Sequence, residues 1–272
     1  MRFLFVGDSM TVGCAGDFTW RYRMWRHLTA ACAEPVEIVG PRTDLYVPPT
    51  ATATATATGD DAATTAAGAA TTVVATAATT AADAGTDVGA PRPVSGAAAS
   101  AYADPAFPSA ARRHLAGWGE GWQHMAPLIG PVVAEHRPDV LLVSLGLIDL
   151  GFYTDADQTE VNVRRFIAEA RSARPDVRMV LMPVIPNVRA DEDAPFGAQC
   201  ARFNVLLAKA VADLADATSP LLLTDRPQGW DRAVDTYDGT HPSVSGEHRL
   251  AREFATVLHQ AWSIGAPYTH PF

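Results

Sequence analysis

A serine, an aspartate and a histidine that could form a catalytic triad stand near the two ends of the 272-residue chain. Ser9 follows Gly7-Asp8 after an apolar run, where a glycine permits a sharp turn at the end of a strand. Asp238 and His241 lie three residues apart in one loop. At this spacing the carboxylate can hold imidazole Nδ1, which leaves Nε2 free to take a proton from a hydroxyl. The three side chains therefore predict nucleophilic catalysis by an activated serine.

The elements between the two motifs predict a fold that brings them together. Apolar runs of strand type, such as residues 2–6 and 140–145, alternate with stretches of helical periodicity. This alternation predicts a three-layer α/β/α sandwich around about five parallel strands. The loops after the first and last strands of such a sheet open on the same edge, so Ser9 and His241 can meet. Neither motif is specific alone, because an isolated Asp-x-x-His is more often a solvated loop pair.

The composition limits the partners and the compartment. The formal net charge is -9 and the arginines are dispersed, which argues against a nucleic-acid partner. No apolar run reaches the roughly 18 residues of a membrane span, and the chain opens on a strand rather than a signal peptide. We therefore expect a cytoplasmic protein that acts on a small molecule; the oligomeric state is not indicated. Cys14, Cys32 and Cys200 lack zinc or redox spacing and predict free thiols.

A low-complexity tract interrupts the sequence at residues 50–100. Between residues 51 and 90 there are 17 Ala and 12 Thr among 40 residues, with no aromatic residue, Leu or Ile. Such a segment cannot bury enough apolar area to offset the entropy of ordering it. We interpret the tract as a disordered insertion in a single domain of residues 1–272. The alternative is a lid over the site, because long loops in compact domains are often functional.

The order of the motifs resembles that of the SGNH, or GDSL-type, hydrolases. Gly7-Asp8-Ser9 follows the first strand, and a glycine precedes the third strand. Gly146-x-x-Asp149 ends that third strand, and Asp238-x-x-His241-Pro242 lies near the C-terminus. Residues 16–25 resemble an actinobacterial branch of the family. The resemblance covers the whole chain except the Ala/Thr-rich tract.

The resemblance implies both a fold and an activity. The family has a flavodoxin-like sandwich and hydrolyses or transfers acyl esters, so a small or medium acyl ester is the expected substrate. Ser9 would be the nucleophile, His241 the base and then the acid, and Asp238 the group that orients the imidazole. The resemblance implies no metal and no organic cofactor.

The residues that form the oxyanion hole in the family are matched only in part by this sequence. In the family it consists of the N–H of the nucleophilic serine, the N–H of a glycine before the third strand, and the side-chain amide of an Asn in a Gly-x-Asn-Asp motif. Spacing favours Gly119 over Gly117 and Gly121 as the glycine. The position of the asparagine is occupied by Ile148, which cannot donate a hydrogen bond. Loss of one donor lowers kcat by roughly 10²- to 10³-fold, so activity should be weakened rather than abolished.

Several consequences of Ile148 stay open on the sequence alone. Asn187, in the loop after the fourth strand, could supply the missing donor. The pocket could serve a substrate whose transition state needs less oxyanion support, or the chain could be a noncatalytic binding protein of the same fold. An apolar side chain could also exclude water and favour acyl transfer to an acceptor over hydrolysis.

Three arginines occupy one side of the helix predicted between residues 17 and 32. Arg21, Arg23 and Arg26 fall largely opposite the apolar stripe of that helix. The pattern predicts a solvated basic face, with contact to substrate as the alternative.

Two histidines lie on either side of the glycine-rich turn before the third strand, and three aromatic residues lie in or near the candidate motifs. His114 and His124 lack further acidic or Cys ligands at metal-binding spacing, so we expect no metal site. Trp118, Trp122 and Tyr153 are candidates for the wall of a cleft, although packing in the core is the commoner fate of aromatic side chains.

Overall fold

The computed structural model describes residues 1–48 and 101–269, and every structural statement below concerns these residues. The Ala/Thr-rich tract, expected to be a disordered insertion or a lid, lies outside the described residues. Its role and the assignment of the whole chain to one domain therefore stay predictions.

The centre of the fold is one parallel sheet with strand β1 (Arg2–Gly7) in its interior. The other strands are β2 (Glu37–Val39), β3 (Leu115–Ala116), β4 (Val140–Ser144), β5 (Arg178–Met182) and β6 (Leu221–Leu223). The strands run in the order β2-β1-β4-β5-β6. Strand β3 also pairs with β1, beyond the end of β2 and at the carboxyl end of β1. The chain winds to opposite sides of β1, so β1 and β4 flank the switch point where α/β sheets bind ligands.

Helices cover the sheet in two groups. The helices are α1 (Ser9–Val12), α2 (Trp20–Ala31), α3 (Trp122–His136), α4 (Ala156–Ala173), α5 (Arg189–Glu192), α6 (Ala194–Asp213), α7 (Arg232–Asp235) and α8 (Val244–Trp262). Helix α2 packs on α8, whereas α3 packs on α4 and α4 on α6. The expected α/β/α sandwich of parallel strands is thus confirmed.

The apolar runs of the sequence form strands because both faces of the sheet are covered. Residues 3–6 of β1 and 140–143 of β4 are completely buried. On one side, Trp20 stacks on Phe254 with ring centroids 4.8 Å apart, which joins α2 to α8. On the other side, Trp122 and Phe166 meet edge to face at 5.2 Å and join α3 to α4. Trp122 is therefore a core residue and not part of a cleft.

The arginines of α2 do not form the solvated face that periodicity predicts. Arg21 is fully buried, and its guanidinium donates to two backbone carbonyls at the end of α1. Arg23 pairs with the buried carboxylate of Glu247 at 2.9 Å. Only Arg26 of the three is exposed. Periodicity fails here because α2 is covered on its second side by segments far away in the sequence, which a single helical pattern cannot show.

The length and hydropathy of each helix show whether it could cross a membrane. Within the two described ranges, no helix combines the length and the apolar character needed to cross a bilayer. The compartment of the protein stays a prediction.

Candidate active site

Ser9 lies in the first turn after the central strand. Asp8 caps the short helix α1, and its Oδ1 accepts a hydrogen bond from the N–H of Met10 at 3.0 Å. A Cβ on Gly7 would lie 2.0 Å from Oγ1 of Thr11, so only glycine fits at the end of the strand. The close turn places the hydroxyl of Ser9 directly at the carboxyl edge of the sheet.

The structure brings together the three residues that the sequence suggested as a triad. Nε2 of His241 lies 2.9 Å from Oγ of Ser9, and Nδ1 lies 2.6 Å from Oδ2 of Asp238. The other oxygen of Asp238 accepts the backbone N–H groups of Thr240 and His241. Burial raises the pKa of Asp238, but the hydrogen bonds from His241 and the backbone outweigh it, so the pKa lies below its usual value. The arrangement suits a neutral imidazole that carries its proton on Nδ1.

Neighbouring groups fix the orientation of the His241 ring. Trp118 stacks on the imidazole with centroids 4.6 Å apart, and Tyr237 lies nearly parallel to it at 5.8 Å. Nδ2 of Asn187 donates to Oγ1 of Thr240 at 3.1 Å, which ties the loop after β5 to the loop that carries His241. These contacts support the imidazole in the position from which Nε2 reaches Ser9.

A cavity of about 370 Å³ opens beside Ser9 and His241. The loops that form it meet because their strands end in register: Gly7 of β1 pairs with Ser144 of β4, and Ser144 pairs with Met182 of β5. Several residues suggested by the sequence line the cavity, namely Trp118, Gly119, Ile148, Tyr153 and Asn187. The candidate residues are therefore assembled around one space next to the candidate nucleophile.

Other residues of the cavity were missed by sequence reasoning. They are Leu147, Gly151, Phe152, Arg189, Phe196 and Thr240. Most carry no reactive group, so residue chemistry could not point to them. The available signal was their place in the chain, because they follow strands at the carboxyl edge where ligands bind.

The three candidate oxyanion glycines differ in what their N–H groups do. The N–H of Gly117 donates to the carbonyl of Gly7, and that of Gly121 donates to Nδ1 of His124. Among the described residues, the N–H groups of Ser9 and Gly119 have no acceptor. Gly119, with φ of +74°, also lines the cavity. Of the three, Gly119 is thus the glycine whose N–H is available to a bound oxygen.

Asp149 anchors the loop that carries Gly119. Its carboxylate accepts the N–H groups of Trp122 and Gln123, at the first turn of α3, at 2.8 and 3.1 Å. Burial raises the pKa of Asp149 although both N–H groups favour its ionised form. The carboxylate therefore anchors the start of α3.

Asp8 is also buried, and this gives a prediction for stability. Burial, with the charge of Asp149 adding to it, raises the pKa of Asp8 to about 7, against the opposing effects of Met10 N–H and His241. The folded state therefore binds a proton that the unfolded state has lost above about pH 4, so stability falls as the pH rises toward 7. We expect Asp8→Asn, which keeps the acceptor for Met10, to show a shallower loss of Tm between about pH 5 and 8.

Thermal denaturation over this pH range checks the prediction. Asp157→Asn is the control, because Arg202 holds the pKa of this exposed carboxylate below its usual value and its removal should not flatten the curve. Asp17 and Glu247, whose pKa values burial raises to about 6 and about 7, keep part of the slope in every variant. Parallel curves for Asp8→Asn and the unsubstituted protein would contradict the prediction.

The histidines considered for metal binding have other partners. Nε2 of the buried His114 lies 3.1 Å from the carbonyl of Asp44, and His124 contacts the ring of Tyr153. Within the described part of the chain, no three His, Cys, Asp or Glu side chains are grouped so that they could hold a metal ion.

Several solved structures share the fold of this chain. A carbohydrate esterase of family 3 from Talaromyces cellulolyticus is 21% identical, with a TM-score of 0.64 over 96% of this chain and 97% of that one. A family 3 carbohydrate esterase from Clostridium thermocellum is 17% identical, with a TM-score of 0.63 over 98% and 99%. An acetylxylan esterase from Geobacillus stearothermophilus is 14% identical, with a TM-score of 0.57 over 100% and 97%. No curated protein sequence matches the chain.

A sequence model of a known family matches more than half of the chain. It describes the GDSL-like lipase/acylhydrolase family and covers residues 84–249, which include Asp238 and His241 and begin after Ser9. The actinobacterial branch suggested by residues 16–25 stays a prediction. The chain belongs to the GDSL-like lipase/acylhydrolase family and is a carboxylic ester hydrolase.

Proposed function

We propose that the chain is a serine esterase that hydrolyses a small or medium acyl ester, with Ser9 as the nucleophile. His241 is the general base and then the general acid, and Asp238 orients it. The observation that carries the proposal is the continuous contact from Asp238 through His241 to Ser9, with distances of 2.6 and 2.9 Å. The 2.9 Å contact is within reach for transfer of the hydroxyl proton to His241, and the 2.6 Å contact lets Asp238 hold the imidazole in place.

The reaction follows from this geometry in two halves. Oγ of Ser9 attacks the ester carbonyl while Nε2 of His241 takes the hydroxyl proton, and a tetrahedral intermediate forms. The imidazolium then gives that proton to the leaving alcohol oxygen as the bond between carbon and this oxygen breaks. A water molecule, deprotonated by the same nitrogen, attacks the carbonyl carbon of the acyl-enzyme. The bond between this carbon and Oγ of Ser9 then breaks as His241 returns the proton to Oγ, which releases the carboxylic acid and restores the serine hydroxyl.

The oxyanion is assigned to two backbone donors, the N–H groups of Ser9 and Gly119. Neither group has another acceptor in the described residues, and both residues line the cavity. Ile148 contributes no donor. Among the described residues, Asn187 is the side-chain amide of the cavity wall that could act as a third donor, and its nitrogen already binds Thr240. Such a hole stabilises the intermediate less than one with three free donors.

Acyl transfer is a second reaction that one observation favours. Ile148 places an aliphatic side chain in the cavity that holds the acyl-enzyme, and an apolar wall lowers the access of water to that intermediate. Partition of the acetyl group of p-nitrophenyl acetate between water and an added alcohol measures the contribution of transfer. Acetate as the sole product would exclude it.

Covalent labelling tests the assignment of the nucleophile. A fluorophosphonate probe is expected to modify Ser9, as identified by mass spectrometry of the labelled peptide, because the hydroxyl is activated only next to a base. His241→Ala is the matched control, since it keeps Ser9 and removes the base. Modification of another residue, or equal labelling of the control, would contradict the assignment. An unlabelled protein would support the alternative of a noncatalytic binding protein.

A further inference from the structure

Gly119 lies in a tight turn of residues 117–120, which we call the oxyanion turn. The N–H of Glu120 closes this turn by donating to the carbonyl of Gly117 at 3.2 Å. Gly119 has φ of +74° whereas φ of Trp118 is negative, a combination that defines a type II turn. Half a rotation of the peptide between Trp118 and Gly119 gives a type I turn, in which the N–H of Gly119 points the opposite way. Because glycine tolerates both forms, the direction of this N–H depends on the groups that hold the turn.

An ion pair holds the end of the oxyanion turn. Nη1 and Nη2 of Arg42 contact the two carboxylate oxygens of Glu120, Nη2 at 3.2 Å. Such a bidentate pair fixes direction as well as distance, because guanidinium and carboxylate are both planar. The pair lies directly against Gly117, where a Cβ would be 2.1 Å from Oε2 of Glu120 and 2.6 Å from Nη1 of Arg42. The turn and the ion pair therefore fit together only with glycine at this position.

Arg42 is itself held by the backbone of a distant segment. It follows β2, and its N–H and carbonyl pair with the carbonyl and N–H of His114 at 3.0 and 2.9 Å. Nη1 of Arg42 also donates to the carbonyl of Ala116, in β3, at 3.0 Å. The guanidinium is thus tied to β3 and gives the oxyanion turn a fixed anchor.

The other residues of the oxyanion turn make weaker contacts. The ring of Trp118 stacks on Tyr46 and on His241, with centroids 3.9 and 4.6 Å apart. The hydroxyl of Tyr153, a half-exposed residue, donates to the carbonyl of Gly119 at 3.3 Å. Hydrogen bonds between charged groups are about twice as strong as such neutral ones. The ion pair is therefore the contact whose loss should change the turn most.

We propose that Glu120 and Arg42 are positioning residues of the reaction, whose ion pair holds the N–H of Gly119 in the direction of the oxyanion. The inference rests on the proposed function and adds two residues that act from outside the cavity, since neither of them lines it. An oxyanion hole is effective because its donors are in place before the charge develops, so a donor that can turn away loses part of its effect. With Ile148 in place of a side-chain donor, the direction of this one N–H matters more.

Glu120→Ala tests the inference through kcat. The substitution removes the carboxylate and no atom of the triad or of the cavity wall. We expect kcat for p-nitrophenyl acetate to fall about 10- to 10²-fold, less than the roughly 10²- to 10³-fold that a whole donor contributes. KM should stay within about twofold, because the N–H binds charge that develops only in the transition state. Partly exposed ion pairs contribute little to stability, so Tm should be nearly unchanged.

A thiono ester separates an effect on the oxyanion from a general loss of structure. O-p-nitrophenyl thionoacetate carries sulfur in place of the carbonyl oxygen, and sulfur is a weak hydrogen-bond acceptor. The N–H groups of the hole therefore stabilise its tetrahedral intermediate less. Glu120→Ala should lower the ratio of kcat for the oxygen ester to kcat for the thiono ester about as much as it lowers kcat for the oxygen ester. A variant that merely folds less well would lose both activities equally.

Two further variants accompany this measurement. Asp157→Ala is the matched control, because it removes another bidentate pair, with Arg202 at 2.9 and 2.7 Å, that lies outside the cavity. It should change neither kcat nor the ratio of the two esters. Glu120→Gln keeps the size of the side chain and one acceptor for Arg42, so it should lose less kcat than Glu120→Ala. This variant decides the question if the alanine variant does not fold.

The outcomes distinguish the inference from the function on which it rests. An unchanged kcat in Glu120→Ala, or equal losses on both esters, would overturn the role of the ion pair, while turnover that requires Ser9 would leave the esterase assignment intact. Absence of Ser9-dependent turnover in the unsubstituted protein would overturn the esterase assignment itself. A loss confined to the oxygen ester, and absent from Asp157→Ala, supports the inference.

Discussion

Replacement of Ser9 by alanine is expected to lower kcat for p-nitrophenyl acetate by about 10⁴- to 10⁶-fold. The alanine variant keeps the cavity and its backbone donors but has no oxygen to attack the ester. His241→Ala should cost about as much, because the hydroxyl at 2.9 Å from Nε2 then loses the base that activates it. Steady-state kinetics with active-site titration of the unsubstituted enzyme measure both losses.

The double variant makes this prediction sharper. Residues that act as one unit are strongly non-additive, so Ser9→Ala with His241→Ala should be no slower than either single variant. Ser172→Ala is the matched control, since this exposed serine of α4 lies far from the cavity in the sheet topology. Turnover retained by Ser9→Ala would refute the nucleophile, and losses that multiply would refute a shared triad.

The sequence was sufficient for the layout of the site because the topology of a parallel sheet is repetitive. Once strands and helices alternate, residues that follow strands must share one edge, and this is why Ser9 and His241 could be placed together. The choice of Gly119 among three glycines rested on spacing, and the structure adds a reason in the free N–H of this residue.

What the sequence could not show depends on contacts between distant segments. The burial of Arg21 requires the end of α1 to lie against α2, and no local pattern encodes this contact. The cavity likewise combines the turn after β4 with Phe196 at the start of α6. Neither Phe196 nor Gly151 carries a reactive group, so only the structure shows that both line the cavity beside Ser9.

Ile148→Asn is expected to raise kcat for p-nitrophenyl acetate by about 10²- to 10³-fold, the amount that one oxyanion donor contributes. Ile148 lines the same cavity as Ser9 and Gly119, so an amide there can face the oxygen that develops charge. Ile148→Leu is the control, because it changes the shape of the side chain without adding a donor. No activity in Ile148→Asn and in the unsubstituted protein would support the noncatalytic binding protein.

Asn187 determines how large this gain can be. The amide nitrogen of Asn187 carries two hydrogens, and one of them is bound to Thr240. If the second hydrogen already binds the oxyanion, Asn187→Ala alone should lower kcat about 10²-fold. Ile148→Asn should then restore the lost activity. If two backbone donors act alone, Asn187→Ala should have a much smaller effect, and Ile148→Asn should show its full gain in either background. The double-mutant cycle distinguishes these cases. The effects of the two substitutions are non-additive if the two amides can replace each other, and additive if Asn187 does not contact the oxyanion.

The gain from the same substitution should depend on the length of the acyl chain. Ile148 lines the cavity with an aliphatic side chain, whereas asparagine presents a polar amide that loses its hydrogen bonds to water when an acyl methylene packs against it. We therefore expect Ile148→Asn to gain most on acetate and least on octanoate. An equal gain on all esters would show that Ile148 affects only the oxyanion. A gain in kcat that becomes smaller as the acyl chain becomes longer would show that Ile148 contacts the acyl group of the substrate in place of donating to the oxyanion.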